Sequence, residues 1–256
     1  MRFSFFILLT TLVFSVFSRA ENISLVDKAR ARQIPTELYY PDNQPLCSRE
    51  KPCPVVLMSA GYGVGHNDYT FLAETFTRSG YLVVAIGHEL PGDPALSVSG
   101  NLFETRSENW QRGAATLAFI QKTLKQMLPG YNFDALTLAG HSNGGDISAW
   151  LANGWLSKKE LGYIKSIITL DHRRVMLPRT KDISVLSVRA SDFAADKGVL
   201  PSPDEQNLFG SCVVTIANAR HNDMSDSGPD WLKQKIQYIV SQYLNKTASC
   251  DKLQQV

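Results

Sequence analysis

The sequence predicts an α/β fold in which a mostly parallel central sheet is covered by helices on both faces. Two observations carry this. Runs that are apolar almost throughout, such as residues 54–60 and 81–86, alternate with runs of helical spacing, and continuous apolar strands belong to sheets buried on both sides. The residues able to do chemistry fall just beyond those strands, where sheets of this kind place their sites.

In chain order, residues 1–20 combine an early Arg2, an apolar stretch and a Ser18-Arg19-Ala20 ending, the pattern of a cleaved secretory signal. The apolar stretch falls short of the roughly 20 residues that a spanning helix needs, so no stable membrane anchor is expected. Residues 21–256 contain no repeat, linker or low-complexity tract, and one domain of this class routinely reaches about 250 residues. Strands are expected at 36–40 and 54–60, and a helix at 68–78 closed by Gly80. Next come a strand at 81–86, a helix from about 107 to 128 and a strand at 135–139. The helix after Ser142 carries Ile147, Trp150 and Leu151 at helical spacing. Further strands are expected at 167–170, 183–188 and 213–217. Leu232, Ile236, Ile239, Val240 and Tyr243 mark a last amphipathic helix.

A formal charge of +2 without a basic tract argues against nucleic acid as a partner, because phosphate binding needs clustered Lys and Arg. The four cysteines lack zinc-ligand spacing. In an exported chain they read as two disulfides, with Cys47–Cys53 and Cys212–Cys250 favoured because each pair brackets one local unit.

The stretch that carries most information is LTLAGHSNGGD, residues 136–146, in which a strand runs into Gly140-His141-Ser142-Asn143-Gly144 and a helix follows at once. Taken alone, the pentapeptide is better explained by a tight turn whose serine caps the helix, since it occurs often by chance. The strand before it and the helix after it favour a strained turn that exposes Ser142 as a nucleophile. A serine hydroxyl is weak at neutral pH and needs an imidazole to take its proton. Of the five histidines, His66 follows a glycine-rich loop, His88 and His172 follow earlier strands, and His141 points away from its neighbour's hydroxyl. His221, after the last strand, lies where a late loop can fold back to Ser142.

An acid must then hold the imidazole. Asp192 lies directly beyond a strand and Asp196 four residues further, before Pro201. Asp171 ends the preceding strand and could instead pair with Arg173 or Arg174. Counted from Val188, Asp192 is four residues on and Asp196 eight, which favours Asp192 of those two, while the place before Pro201 favours Asp196; Asp171 ranks last.

The order Ser142, acid, His221 resembles the α/β-hydrolase superfamily over nearly the whole chain after the signal. The segment VVLMSAGYGVGHNDYTFLAETFTRSGYLVVAIGH is similar to the third strand, oxyanion loop, first helix and fourth strand of secreted esterases. Those esterases are related to dienelactone hydrolases, platelet-activating-factor acetylhydrolases and polyester-degrading cutinases. The resemblance implies an oxyanion hole from the backbone amides of Tyr62 and Asn143. It also implies an acid just after the seventh strand, no metal or organic cofactor, and a substrate that is a small-molecule, lipid or polymer ester. Dienelactone hydrolases use cysteine where this chain has Ser142, which disfavours their substrates. Only residues 172–182 separate the sixth and seventh strands, so little or no lid is expected, and any cover must come from 88–106, with Pro91, Leu96, Leu102 and Phe103. The expected function is that of a secreted or periplasmic monomeric serine esterase. An amidase or peptidase with the same residues is the alternative among enzymes, and an inactive binding module the alternative outside them.

Overall fold

The structure, a computed structural model, describes residues 20–42, 44–154 and 162–255. The segment expected to be the signal lies almost wholly outside the described residues. Among these residues the sheet has eight strands: β1 (Ala20–Asp27), β2 (Arg32–Tyr39), β3 (Cys53–Ser59), β4 (Leu82–Ile86), β5 (Tyr131–His141), β6 (Ile164–Leu170), β7 (Ser184–Arg189) and β8 (Cys212–Thr215). Their spatial order is β1-β2-β4-β3-β5-β6-β7-β8. β1 and β2 pair antiparallel, as do β2 and β4, and every later neighbour is parallel.

β3 and β4 are buried almost from end to end, which is why they read as apolar runs rather than alternating ones. The helices are α1 (Thr70–Arg78), α2 (Leu102–Met127), α3 (Asn143–Gly154), α4 (Pro203–Phe209), α5 (Asp230–Leu244) and α6 (Cys250–Gln254). One face of the sheet packs against α2 and α3 through Trp110, Leu117, Ile120, Leu124, Ile147 and Leu151. The other packs against α1, α5 and α6 through Phe76, Leu232, Ile236, Ile239, Val240 and Leu253. Gly113 lets α2 and α3 meet closely, since a Cβ there would lie 2.6 Å from the Ile147 side chain.

Three elements were not expected: β1, α4 and α6. α2 also begins at Leu102 rather than near 107, because the Asn101 side chain accepts from the Phe103 amide at 3.2 Å and starts the helix early. Leu102 and Phe103 therefore belong to a helix, and only 88–101 form the loop above the sheet. β5 is longer than expected at both ends. Both disulfides pair as anticipated, Cys47 with Cys53 and Cys212 with Cys250. The second ties β8 to α6. No helix among the described residues is long and apolar enough to cross a membrane, and only residues 171–183 connect β6 to β7.

Candidate active site

The sequence folds sharply at Ser142 because β5 must stop at His141 and α3 must start at Asn143. Ser142 takes a left-handed conformation, φ 51°, uncommon for a residue with a side chain and a source of local strain. Its amide donates to Leu170 O at 2.9 Å and its carbonyl accepts from Asp146 N at 3.1 Å, so both strand and helix hold it there. The flanking glycines are needed for close approach. A Cβ on Gly140 would lie 2.4 Å from Gly144 backbone, and one on Gly144 would lie 2.2 Å from Ser59 O. The second glycine thus clears the end of β3 as well as the turn.

His221 opens a short 3-10 turn after β8, and its Nε2 lies 2.9 Å from Ser142 Oγ. On the other side of the ring, Nδ1 lies 2.5 Å from Asp171 Oδ2. The structure therefore corrects the expected acid. Asp192 does not face the ring; its carboxylate accepts from the His221 backbone amide at 2.9 and 3.0 Å. Asp196 is further removed, paired at 2.5 Å with Arg174 and about half exposed.

Sheet register explains the correction. Leu170 pairs with His141 across β5 and β6, so Asp171 stands level with Ser142 one strand away. Leu170 also pairs with Val188, so the residue level with Asp171 on β7 is Arg189, three residues before the expected acid Asp192. Arg189 Nη2 lies 2.7 Å from Asp171 Oδ1, Arg173 Nη2 lies 3.3 Å from Oδ2, and Ala190 N donates to Oδ1 at 3.1 Å. The anticipated Arg173 pairing thus exists alongside the histidine contact rather than in place of it. Burial pushes the Asp171 carboxyl up, but the His221 hydrogen bond and the charges of Arg189 and Arg173 outweigh it, leaving the group below the usual carboxylate range. Asp171 also has a positive φ, 45°.

Among the described residues, no hydrogen bond engages the backbone amide of either Tyr62 or Asn143. Asn143 sits at the N-terminus of α3, where the helix dipole favours negative charge. Its side chain is turned away from the cleft, accepting from Trp110 Nε1 at 2.9 Å and donating to Asn109 Oδ1 at 2.8 Å. The Tyr62 hydroxyl accepts from Leu96 N at 3.1 Å, which ties the 88–101 loop to the loop after β3.

The cleft beside Ser142 and His221 has a volume of about 380 Å³. Tyr62, Val64, Asn222, Ser225, Asp226 and Ser227 are among its lining residues. Asp226 also closes the start of α1 from a distance, its carboxylate accepting from Thr70 N at 2.8 Å and Phe71 N at 3.3 Å. Below the turn, Asp146 is buried and accepts from Arg174 N and Val175 N, and burial pushes its carboxyl up to about 6.

No family model and no curated protein matches the chain. Solved structures do. A dienelactone hydrolase-like promiscuous phosphotriesterase from metagenomic libraries aligns with a TM-score of 0.64 at 15% identity, over 89% of this chain and 98% of its own. A hyperthermophilic esterase from the archaeon Pyrobaculum calidifontis aligns at 0.62 and 14% identity, over 90% of this chain and 86% of its own. Dienelactone hydrolase from Anabaena variabilis aligns at 0.59 and 13% identity, over 90% and 98%. The chain has the α/β-hydrolase fold.

Proposed function

We propose that the protein is an exported serine hydrolase that cleaves carboxylic esters through an acyl-enzyme. The observation that carries this reading is the continuous contact from Ser142 Oγ through the His221 ring to Asp171, built on a strained turn at the end of a central strand. In the proposed reaction Ser142 Oγ attacks the ester carbonyl carbon while His221 Nε2 takes its proton. The carbonyl oxygen becomes an oxyanion, which the amides of Tyr62 and Asn143 are proposed to stabilise as donors fixed before charge develops. His221 then gives its proton to the leaving alkoxide as the C–O bond breaks, and the alcohol departs. Water attacks the acyl-enzyme with His221 again as base, and Ser142 recovers its proton as the carboxylic acid leaves.

Asp171 accepts the Nδ1 hydrogen throughout, which keeps Nε2 free as the base and stabilises the imidazolium when it forms. Every group used here is a side chain or amide of this chain. Two disulfides support export to an oxidising compartment. The names of the similar structures, an esterase and a dienelactone hydrolase among them, favour ester cleavage within the hydrolases.

Titration with a fluorophosphonate and peptide mapping tests the reading. Stoichiometric labelling at Ser142, with loss of p-nitrophenyl acetate hydrolysis, is expected. A wild-type protein that neither labels nor hydrolyses the ester would be an inert module of the same fold.

A further inference from the structure

The loop after β3 and the loop after β8 are joined by a buried hydrogen-bonded chain that plays no part in the proton transfers. Tyr69, just before α1, is 2% exposed. Its hydroxyl accepts the Gly61 amide hydrogen at 3.1 Å and lies 2.8 Å from His141 Nδ1. His141 is 4% exposed, and its Nε2 lies 3.1 Å from the carbonyl oxygen of His221.

These contacts fix the hydrogens. A carbonyl only accepts, so Nε2 of His141 carries the ring hydrogen; Nδ1 of a neutral ring is then an acceptor, and the Tyr69 hydroxyl donates to it. Burial, together with the neighbouring His221, holds His141 at about 3, in keeping with the neutral ring. Gly61 carries a separate mark of the same arrangement: a Cβ there would lie 2.9 Å from His141 Nδ1 and 3.3 Å from the Tyr69 hydroxyl.

We propose that Tyr69 and His141 are positioning residues that hold the Tyr62 amide and the His221 imidazole at a fixed separation across Ser142. Gly61 immediately precedes Tyr62, so a tether on the Gly61 amide sets where the next amide points. The tether's far end grips the backbone of His221 itself. Oxyanion donor and base then address one tetrahedral centre, and a small slip of either loop costs rate without costing substrate affinity. The proposal rests on Ser142 being the nucleophile.

Tyr69→Phe keeps the buried ring and removes only the hydroxyl. The expected result is a kcat for p-nitrophenyl acetate that falls roughly 10- to 100-fold while KM stays within about threefold. Affinity for a phenylboronic acid, which forms a tetrahedral adduct on the serine, should fall in parallel with kcat. His141→Gln, which keeps one donor and one acceptor, should retain more kcat than His141→Leu. A folded Tyr69→Phe protein, judged by circular dichroism and melting, whose kcat and boronate affinity stay within about twofold of wild type overturns the proposal. If Tyr69→Phe does not fold, equal kcat in the two His141 variants overturns it instead. Failure of the nucleophile reading is distinguishable, because it appears as an unlabelled, inactive wild type before any variant is compared.

Discussion

At the residue scale, Asp171 and Asp192 both touch His221, one at the ring and the other at the backbone, so they should fail differently. Asp171→Asn should lower kcat on the order of 10⁴-fold, because an amide facing Nδ1 disturbs the tautomer that leaves Nε2 free. Asp192→Asn keeps an oxygen that can still accept from the His221 amide, and turnover should stay within about threefold of wild type. Steady-state kinetics on the two variants decides between them, and collapse in Asp192→Asn alone would restore the expectation drawn from the strand end. The contact between Ser142 and His221 was legible in the sequence because a turn between glycines and a late loop each leave a local trace. Which carboxylate meets the His221 ring was not, because that depends on which strands lie side by side. The pair LDH and SVRA becomes informative only once register sets Asp171 beside Arg189. Tyr69 and His141 left no trace as partners, since 72 residues separate them.

At the element scale, the apolar strands buried on both faces were read well, and the misses were elements that bury little, whatever their length. α4 buries no residue, yet it was announced by Ser202, Pro203 and Glu205 at its start and Gly210 at its end. The Ser202 hydroxyl accepts from Glu205 N, the Glu205 carboxylate accepts from Ser202 N, and Gly210 takes the left-handed conformation. β1 alternates only weakly, with Leu25 its one fully buried large apolar residue. α6 is five residues long and is held by the Cys212–Cys250 bridge as much as by Leu253. That bridge closes a segment of 38 residues, for which chain entropy gives about 4 kcal/mol of stabilisation. Replacing both cysteines by serine should therefore lower unfolding free energy by about 3–4 kcal/mol in denaturant titration. Activity under native conditions should persist, because the bridge lies away from the cleft beside Ser142. A loss below about 1 kcal/mol would mean that α6 stays docked without it.

At the scale of the whole molecule, four connections rise from the same edge of the sheet and surround Ser142. They follow β3, β5, β6 and β8. The short β6–β7 connection adds no cover, and the loop 88–101 is fastened to Tyr62 instead of spanning the cleft. In a cleft of about 380 Å³, Asn222, Ser225, Asp226 and Ser227 stand beside Tyr62 and Val64, so a long acyl chain meets polar side chains over part of the wall. Hydrolysis of p-nitrophenyl acetate and butyrate should therefore match or exceed that of the decanoate in kcat/KM, whereas a fully apolar wall would reward the longer chain by up to about 1 kcal/mol for each methylene it buries. Rates should also show no jump when a substrate passes its solubility limit. A preference for decanoate would place the acyl group elsewhere, along the exposed Phe103 on α2.

The start of α1 carries a consequence for how this protein can diverge in its descendants. Tyr69 occupies the position from which a side chain would normally cap the helix, but its hydroxyl is engaged with Gly61 and His141, and it makes no cap. Asp226, 156 positions beyond Thr70 in sequence, supplies the missing acceptor from the loop that carries His221. Neither position is then free to drift alone. A lineage that trades Tyr69 for serine or aspartate gains a local cap and releases Asp226, opening the wall of the cleft to new side chains, but it gives up the tether to His141. Position 226 should thus vary in family trees only on branches where position 69 has changed first.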